Sequence, residues 1–246
     1  MRPNLLQDIS SLADESKSQM TTSSFPIPPR AEKRPHRFTI HGVEIVDDYA
    51  WLKAANWQDV LRDPSVLPAD IHALLDAENS YATAMLAQTQ SLRDHLFAEL
   101  RARIKEDDAD VPEKDGAFEY YDRYREGGEH ELVCRRKLPD GVEEVMLDGD
   151  ALADGKAFFK IGGSEISPDH SLLVWSVDDR GSEYYTIRVR DLATGADLPD
   201  VIEETEGDAV WCADGRSFYY VRLDDNHRPS RVYRHRLGEA QSQDEL

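Results

Sequence analysis

The sequence predicts a mixed fold: an extended amino-terminal strap and α-helices, followed by the first two to three blades of an incomplete β-propeller. Residues Ser167 to Leu192 recur at Cys212 to Leu237 with a shift of 45 positions. Asp169 falls on Asp214, Leu173 on Phe218, Trp175 on Tyr220, Asp179 on Asp224, Ile187 on Val232 and Leu192 on Leu237. A fainter copy aligns Val133, Leu138 and Gly141 with Ile187, Leu192 and Gly195 at a shift of 54, and its leading strand is Phe118-Glu119-Tyr120-Tyr121. Each strong copy reads turn, alternating strand, Asp-rich turn, second alternating strand. A period of roughly 40 to 50 residues with several strands per unit marks a propeller blade. A closed ring takes at least about four blades, so this chain is expected to stop before its own architecture is complete.

Three regions follow from the pattern. Residues 1–24 are polar and rich in Ser and Thr, and are expected to be a disordered leader, with Met1 or Met20 as the start. Residues 25–110 hold the strap and helices. Pro26, Pro28, Pro29 and Pro35 fix φ and remove backbone donors, which forces an extended segment leading into Phe38 to Val46. Asp47 to Lys53 and Asn56 to Arg62 read as short helices capped by Asp47 and Asn56, with Tyr49, Trp51, Leu52 and Trp57 on their buried face.

Pro68 opens a longer helix in its first turn. Ile71, Leu74, Leu75, Ala82, Met85 and Leu86 recur along it at three- and four-residue spacing. A further helix runs from about Thr89 to Lys105, with Leu92, Leu96, Leu100 and Ile104 on one face. The acidic stretch 106–116, with Pro112 and a terminal Asp-Gly, is the boundary. From residue 111 to 246 the period alternates. Gly127-Gly128 and Pro139-Asp140-Gly141 separate strands at Phe118 to Arg125, Glu131 to Lys137 and Val142 to Leu147. Beyond Ala157, short strands are punctuated by Gly162-Gly163, Ser167-Pro168-Asp169, Arg180-Gly181, Thr194-Gly195 and Asp214-Gly215.

Composition bounds the function. In 246 residues there are 29 basic and 49 acidic side chains, a net charge of −20. That charge repels nucleic acid and anionic membranes. It either maintains solubility or draws in cationic peptides. Cys134 and Cys212 lie inside strands without a CxxC partner and read as small core residues of a reducing compartment. No apolar run is long enough to span a bilayer and none resembles a signal peptide, so a cytoplasmic location is expected.

No catalytic, cofactor or metal motif emerges. Gly162-Gly163-Ser164-Glu165-Ile166 lacks the last glycine of a nucleophile elbow and lies between strands, so Ser164 is a turn serine. His130-Glu131-Leu132-Val133-Cys134 opens like a zincin signature but lacks the second His and lies in a strand. Glu106, Asp107, Asp108 and Asp110 lack calcium-loop spacing and read as a solvated linker. Trp51, Trp57, Trp175 and Trp211 read as core or blade residues.

Several segments together resemble the prolyl oligopeptidase family of serine peptidases, and more closely its oligopeptidase B branch. They are Pro35-His36 through His41-Gly42 to Asp47-Asp48-Tyr49-Ala50-Trp51-Leu52, then Glu78-Asn79-Ser80-Tyr81, and Arg103-Ile104-Lys105-Glu106-Asp107-Asp108. Next come Ser167-Pro168-Asp169, Gly181-Ser182-Glu183-Tyr184-Tyr185 and Asp224-Asp225-Asn226-His227-Arg228-Pro229. The resemblance runs in register from about Phe25 to Leu246. It implies a seven-bladed propeller over an α/β-hydrolase domain, with residues 25 to about 105 packing on that domain. No position here matches the family's Ser, Asp and His triad, so no catalytic residue carries over. The implied function is that of the propeller-side part of a serine endopeptidase cleaving short peptides after Lys or Arg, inactive alone. Glu183 and Asp224, on inter-strand turns of neighbouring repeats, are the candidate steering residues for cationic substrates, or else ordinary turn acids capping backbone amides. The alternatives are a non-catalytic peptide-binding or assembly module and a stand-alone closed β-domain. Unpaired strand edges make the isolated chain poorly soluble or oligomeric.

Overall fold

The computed structural model describes residues 25–246, and the leader expected over 1–24 lies outside them. The described residues gather into two compact units. One takes the chain up to Leu52 together with Ala69–His95, and the other takes Lys53–Pro68 together with Leu96–Leu246.

In the first unit, β1 (His36–Ile40) and β2 (Val43–Asp47) form an antiparallel hairpin. Its two turn residues, His41 and Gly42, both have positive φ, 51° and 78°, the geometry that matches strand twist in a two-residue loop. Only a 3-10 turn over Ala50–Leu52 stands where a helix over 47–53 was expected. Asp47 belongs to β2, and its carboxylate accepts from the Tyr49 amide at 2.8 Å, which makes a turn rather than a helix cap. The strap is held by side chains instead of a ladder. Arg34 stacks on Trp51 at 4.0 Å and pairs with Asp70 at 2.5 Å, while Trp51 Nε1 donates to the Glu32 carbonyl at 2.8 Å. Helix α2 (Ala69–Leu86) begins directly after Pro68 and buries Ile71.

The second unit opens with α1 (Trp57–Arg62). Asn56 precedes it without capping it, because its amide donates to the Val66 carbonyl at 3.1 Å. Helix α3 (Gln90–Arg101), whose residues up to His95 belong to the first unit, stops four residues short of the expected Lys105. The blades follow. Strands β3 (Glu113–Asp115), β4 (Phe118–Arg123), β5 (Leu132–Lys137) and β6 (Glu143–Asp148) make a four-stranded antiparallel meander. A short helix that sequence periodicity did not signal, α4 (Gly149–Ala153), links it onward, capped by the Asp148 carboxylate on the Ala151 amide at 3.0 Å. Five residues are too few for a helical period to register.

The remaining strands are β7 (Lys160–Ile166), β8 (Leu172–Asp178), β9 (Tyr185–Asp191), β10 (Asp197–Trp211), β11 (Ser217–Leu223) and β12 (Pro229–Arg236), in a six-stranded sheet of sequential order. Two blades share this sheet through β10. Its first half pairs with β9 as far as Thr205, and its second half pairs with β11 from Thr205 to Trp211. The register slips around Thr205, where Glu204 takes a φ of 58°.

The three repeats close identically. The Leu138 amide donates to Ala117 at 2.8 Å, Leu192 to Ser171 at 3.0 Å and Leu237 to Arg216 at 3.0 Å. The sequence shifts of 54 and 45 are therefore structural. One pairing within the repeat is displaced, however. Asp224 caps its turn through the amides of Asn226 (2.8 Å) and Arg228 (3.1 Å), whereas in the preceding blade Asp178, not the aligned Asp179, receives Arg180 (2.9 Å), Gly181 (3.0 Å) and Glu183 (2.7 Å).

Strand β8 alternates between two cores, because each residue faces opposite its neighbour. Leu173, Trp175 and Val177 pack with Val133, Met146, Leu147, Phe159 and Ile161 toward the first blade. Val174 packs with Ile187, Val189, Ile202, Phe218 and Tyr220 toward the third. The strands of the second unit thus form an open arc of a β-propeller. Among the described residues, no helix is long and apolar enough to cross a membrane.

Candidate functional site

Two clefts in the second unit gather the chemistry-bearing residues. The larger, about 820 Å³, is lined by α1, the β8–β9 loop, the kink of β10 and the β11–β12 hairpin. The capped turn of Asp224 sets the hairpin, and Gln58 on α1 donates to the Asp225 carbonyl. Arg62 lies over the Tyr184 ring at 4.5 Å and pairs with Glu204 at 3.0 Å. Arg222 reaches the other oxygen of Glu204 at 3.5 Å. Asp59, Asp225 and Arg231 also line this cleft, so it presents both signs of charge.

The two candidate steering residues flank this region. Their loops touch where the Tyr184 and His227 rings meet edge to face at 4.5 Å. Asp224 lines the cleft, but its Oδ1 is occupied by its own turn. Glu183 is exposed and left-handed, with a φ of 57°. Its amide is a group that Asp178 holds. Geometry therefore brings the two loops together without joining the two carboxylates on one ligand position.

The second cleft, about 420 Å³, lies between the first blade and β7. It is lined by Asp110, Glu113, Asp115, Asp122 and Glu165, with Lys114, Tyr120 and Tyr121 beside them. Here the first strands of the blades converge. The Trp211 indole donates to the Glu165 carbonyl at 3.0 Å, and a Cβ on Gly163 would stand 2.8 Å from Asp208 Oδ1. Burial, and then the charge of Asp115, pushes the Glu165 carboxyl up; burial, Glu131 and Asp110 do the same to Asp122. Sequence reading missed these inner-strand acids. The signal was available in the repeat, since the strand leading each copy is the one nearest its neighbours.

No nucleophilic assembly occurs among the described residues. Ser164 lies on β7 opposite Trp175, without a hydrogen bond to its hydroxyl. Cys134 is buried, and burial pushes its thiol up to about 11. His235, flanked by carboxylates, has no serine or cysteine beside it. No group of three or more His, Cys, Asp or Glu side chains is arranged to hold a metal ion among the described residues.

Residues 28–246, from the strap through the last blade strand, match the family described as prolyl oligopeptidase, N-terminal beta-propeller domain. This chain belongs to the prolyl oligopeptidase family. It is 38% identical over 237 residues to dipeptidyl aminopeptidase BI of Pseudoxanthomonas mexicana, covering 89% of this chain and 32% of that protein. To protease 2 of Moraxella lacunata it is 29% identical over 226 residues, covering 89% and 31%. Among solved structures, oligopeptidase B from Leishmania major superposes with a TM-score of 0.80 at 31% identity, covering 89% of this chain and 32% of that one. Oligopeptidase B from Trypanosoma brucei with covalently bound antipain, in its closed form, gives 0.78 at 28% identity and the same coverage. The chain thus spans about a third of the length of the relatives it matches.

Proposed function

We propose that this chain is the propeller-side part of an oligopeptidase B-like serine peptidase, in which it admits short peptides and favours those carrying Lys or Arg. Hydrolysis would follow acyl transfer from a serine in an α/β-hydrolase domain elsewhere in the protein. The observation that carries this reading is the convergence of Glu113, Asp115 and Glu165 on neighbouring first strands, where the acids of the cleft outnumber its one base, Lys114. A wall in which acids outnumber bases concentrates cationic ligands. Glu183 and Asp224 extend the same sign outward, with Glu183 the freer of the two. The exposed apolar side chains Leu96, Phe97, Leu100 and Ile104 support a second expectation, that the helical segment packs on a hydrolase surface.

The test uses the 246-residue chain with fluorescent tetrapeptides of equal length, basic, neutral or acidic. Preference for the basic peptide, weakened by Glu183→Gln and by added salt, supports the reading; equal binding of all three overturns it. A fluorogenic dibasic substrate should give no turnover with this chain. Turnover surviving Ser164→Ala would overturn the assignment of catalysis to another domain. The name of the 38% identical relative favours a second reading, in which the whole protein releases dipeptides from amino termini. Binding that requires a free α-amino group would distinguish it. A non-catalytic peptide-binding module would show the same binding in a natural product that ends without a hydrolase domain.

A further inference from the structure

His235 on β12 occupies the blade position of Arg190 on β9, 45 residues earlier. Each serves an acid on the strand or segment that follows. Arg190 Nε donates to Asp197 at 2.8 Å. His235 is 1% exposed, and both of its ring nitrogens meet carboxylates: Nδ1 lies 2.7 Å from Asp244 Oδ1, and Nε2 lies 3.0 Å from Asp200 Oδ1. Those carboxylates accept other donors as well. The Gly238 amide reaches Asp200 Oδ1 at 2.6 Å, and Tyr220 Oη reaches Asp244 Oδ2 at 2.6 Å.

The imidazole's neighbours come from three elements, and Arg222 and Gln241 act on the cluster through Tyr220. From β11 come the Phe218 ring, 5.2 Å away, and the Tyr220 phenol, whose hydroxyl donates to Asp244. From β10 comes Asp200, from the turn Gly238, and from the terminal segment Asp244. No Lys or Arg among the described residues hydrogen-bonds either carboxylate. A neutral imidazole offers one donor and one acceptor. It would set a lone pair against a carboxylate oxygen in one of its two contacts. Two short contacts therefore require two protons shared among the three groups, and the extra proton is the only positive charge inside the cluster.

We infer that the third blade is fastened by a proton-dependent clasp, Asp200–His235–Asp244, which holds the segment from Gly238 to Glu245 against β10 and β12. In the second blade the matching cation is a guanidinium, which does not lose its proton. Losing the imidazole proton sets a ring lone pair against a buried carboxylate oxygen, a costly arrangement even though each carboxylate keeps its other donor. The segment that Asp244 anchors then opens, including the Arg234–Glu245 backbone pairing at 2.8 and 3.1 Å, while the second blade stays closed. The sign is fixed: the clasp is shut while the proton is bound and opens as pH rises.

The test follows 15N-labelled full-length chain by NMR and amide exchange, with His235 assigned through His235→Gln. The expected result is a ring with both nitrogens protonated. Protection at Glu245 and Arg234 should fall at least about tenfold more than at Val189 as alkali removes that proton, after correction for intrinsic exchange. A neutral imidazole with the segment still protected, or equal loosening of both blades, would overturn the inference. Should His235→Gln fail to fold, Asp200→Asn decides the matter. An amide can pair with a neutral ring, so that variant should keep the segment protected independently of pH; a persistent pH response would sink the clasp.

Discussion

Tyr220 on β11 donates its hydroxyl to Asp244 at 2.6 Å, reaching across β12 to tie the second strand of the blade to the position of a fourth. The same tie recurs in each blade. Tyr121 donates to Glu143 at 2.8 Å, and the Trp175 indole donates to Asp197 at 3.3 Å. The three aromatics are separated by the repeat shifts of 54 and 45, and each spans one intervening strand. An aromatic body buried in the blade and a polar tip on an acid suit the half-apolar edge of a sheet.

This tie predicts late phenol titration. Burial and then Glu143 push the Tyr121 phenol up to about 12, and burial and then Asp244 push Tyr220 up as well. Alkaline difference spectroscopy on the native chain should show these phenols ionising after the exposed tyrosines. Tyr220→Phe should remove one late phenol and cost about 1–2 kcal/mol in urea denaturation, because Asp244 loses a donor. Early ionisation of all ten tyrosines would contradict the buried ties.

The Asp169 turn sets an acid limb. Hydroxyls of Ser167 and Ser171, at 2.7 and 2.8 Å, together with the Ser171 amide, hold its carboxyl down at about 2 against an ordinary 3.8. A depressed carboxyl stabilises the fold fully above its unfolded value and loses that contribution as pH falls through its folded one. Stability measured between pH 4 and 2 should therefore fall less steeply in Asp169→Asn than in the parent chain. The exposed setting keeps the effect small.

Gly162 is a packing glycine. A Cβ there would stand 2.2 Å from Ser176 Oγ and 2.8 Å from the Tyr185 ring. Ser176 is fully buried and its hydroxyl accepts from the Gly163 amide at 3.0 Å, so it cannot step aside. Gly162→Ala should cost roughly 2 kcal/mol or more, seen as a lower urea midpoint. Gly195→Ala, with open space around it, should lose only what its left-handed φ of 71° costs.

The free face of the third blade should drive self-association. Val232 and Tyr219 are exposed at 55% and 46%, whereas their repeat partners Ile187 and Val174 are buried beneath that blade at 0% and 1%. Val232→Lys should reduce the association seen in sedimentation velocity and shift stability by no more than about 0.5 kcal/mol. Unchanged association would place the sticky surface elsewhere.

Repetition made the blades readable. Asp214 and Asp169 fold their turns by the same Asx hydrogen bonds, and Leu173, Trp175, Phe218 and Tyr220 mark the core face by alternation alone. The choice between Asp178 and Asp179 as turn cap was illegible, because adjacent aspartates are chemically equal until the strand register selects one. The clefts were hidden for a different reason. Gln58 and Arg62 on α1 meet residues more than a hundred positions away, and no local pattern encodes such a meeting. The His235 clasp was likewise invisible, since Asp200 and Asp244 resemble any other surface acids in a chain this rich in them.

The undivided β10 has a mechanical consequence. Between the first and second blades the chain passes through α4 and the open turn at Gly155, where nothing lies within 4 Å of the Cα substituent, and a protease nick or an inserted tag there leaves both ladders whole. No such joint separates the second blade from the third. Along Asp197–Trp211 one unbroken strand carries the second blade's ladder in its first half and the third blade's in its second, the two meeting at Thr205, so a pull on either blade passes straight into the other.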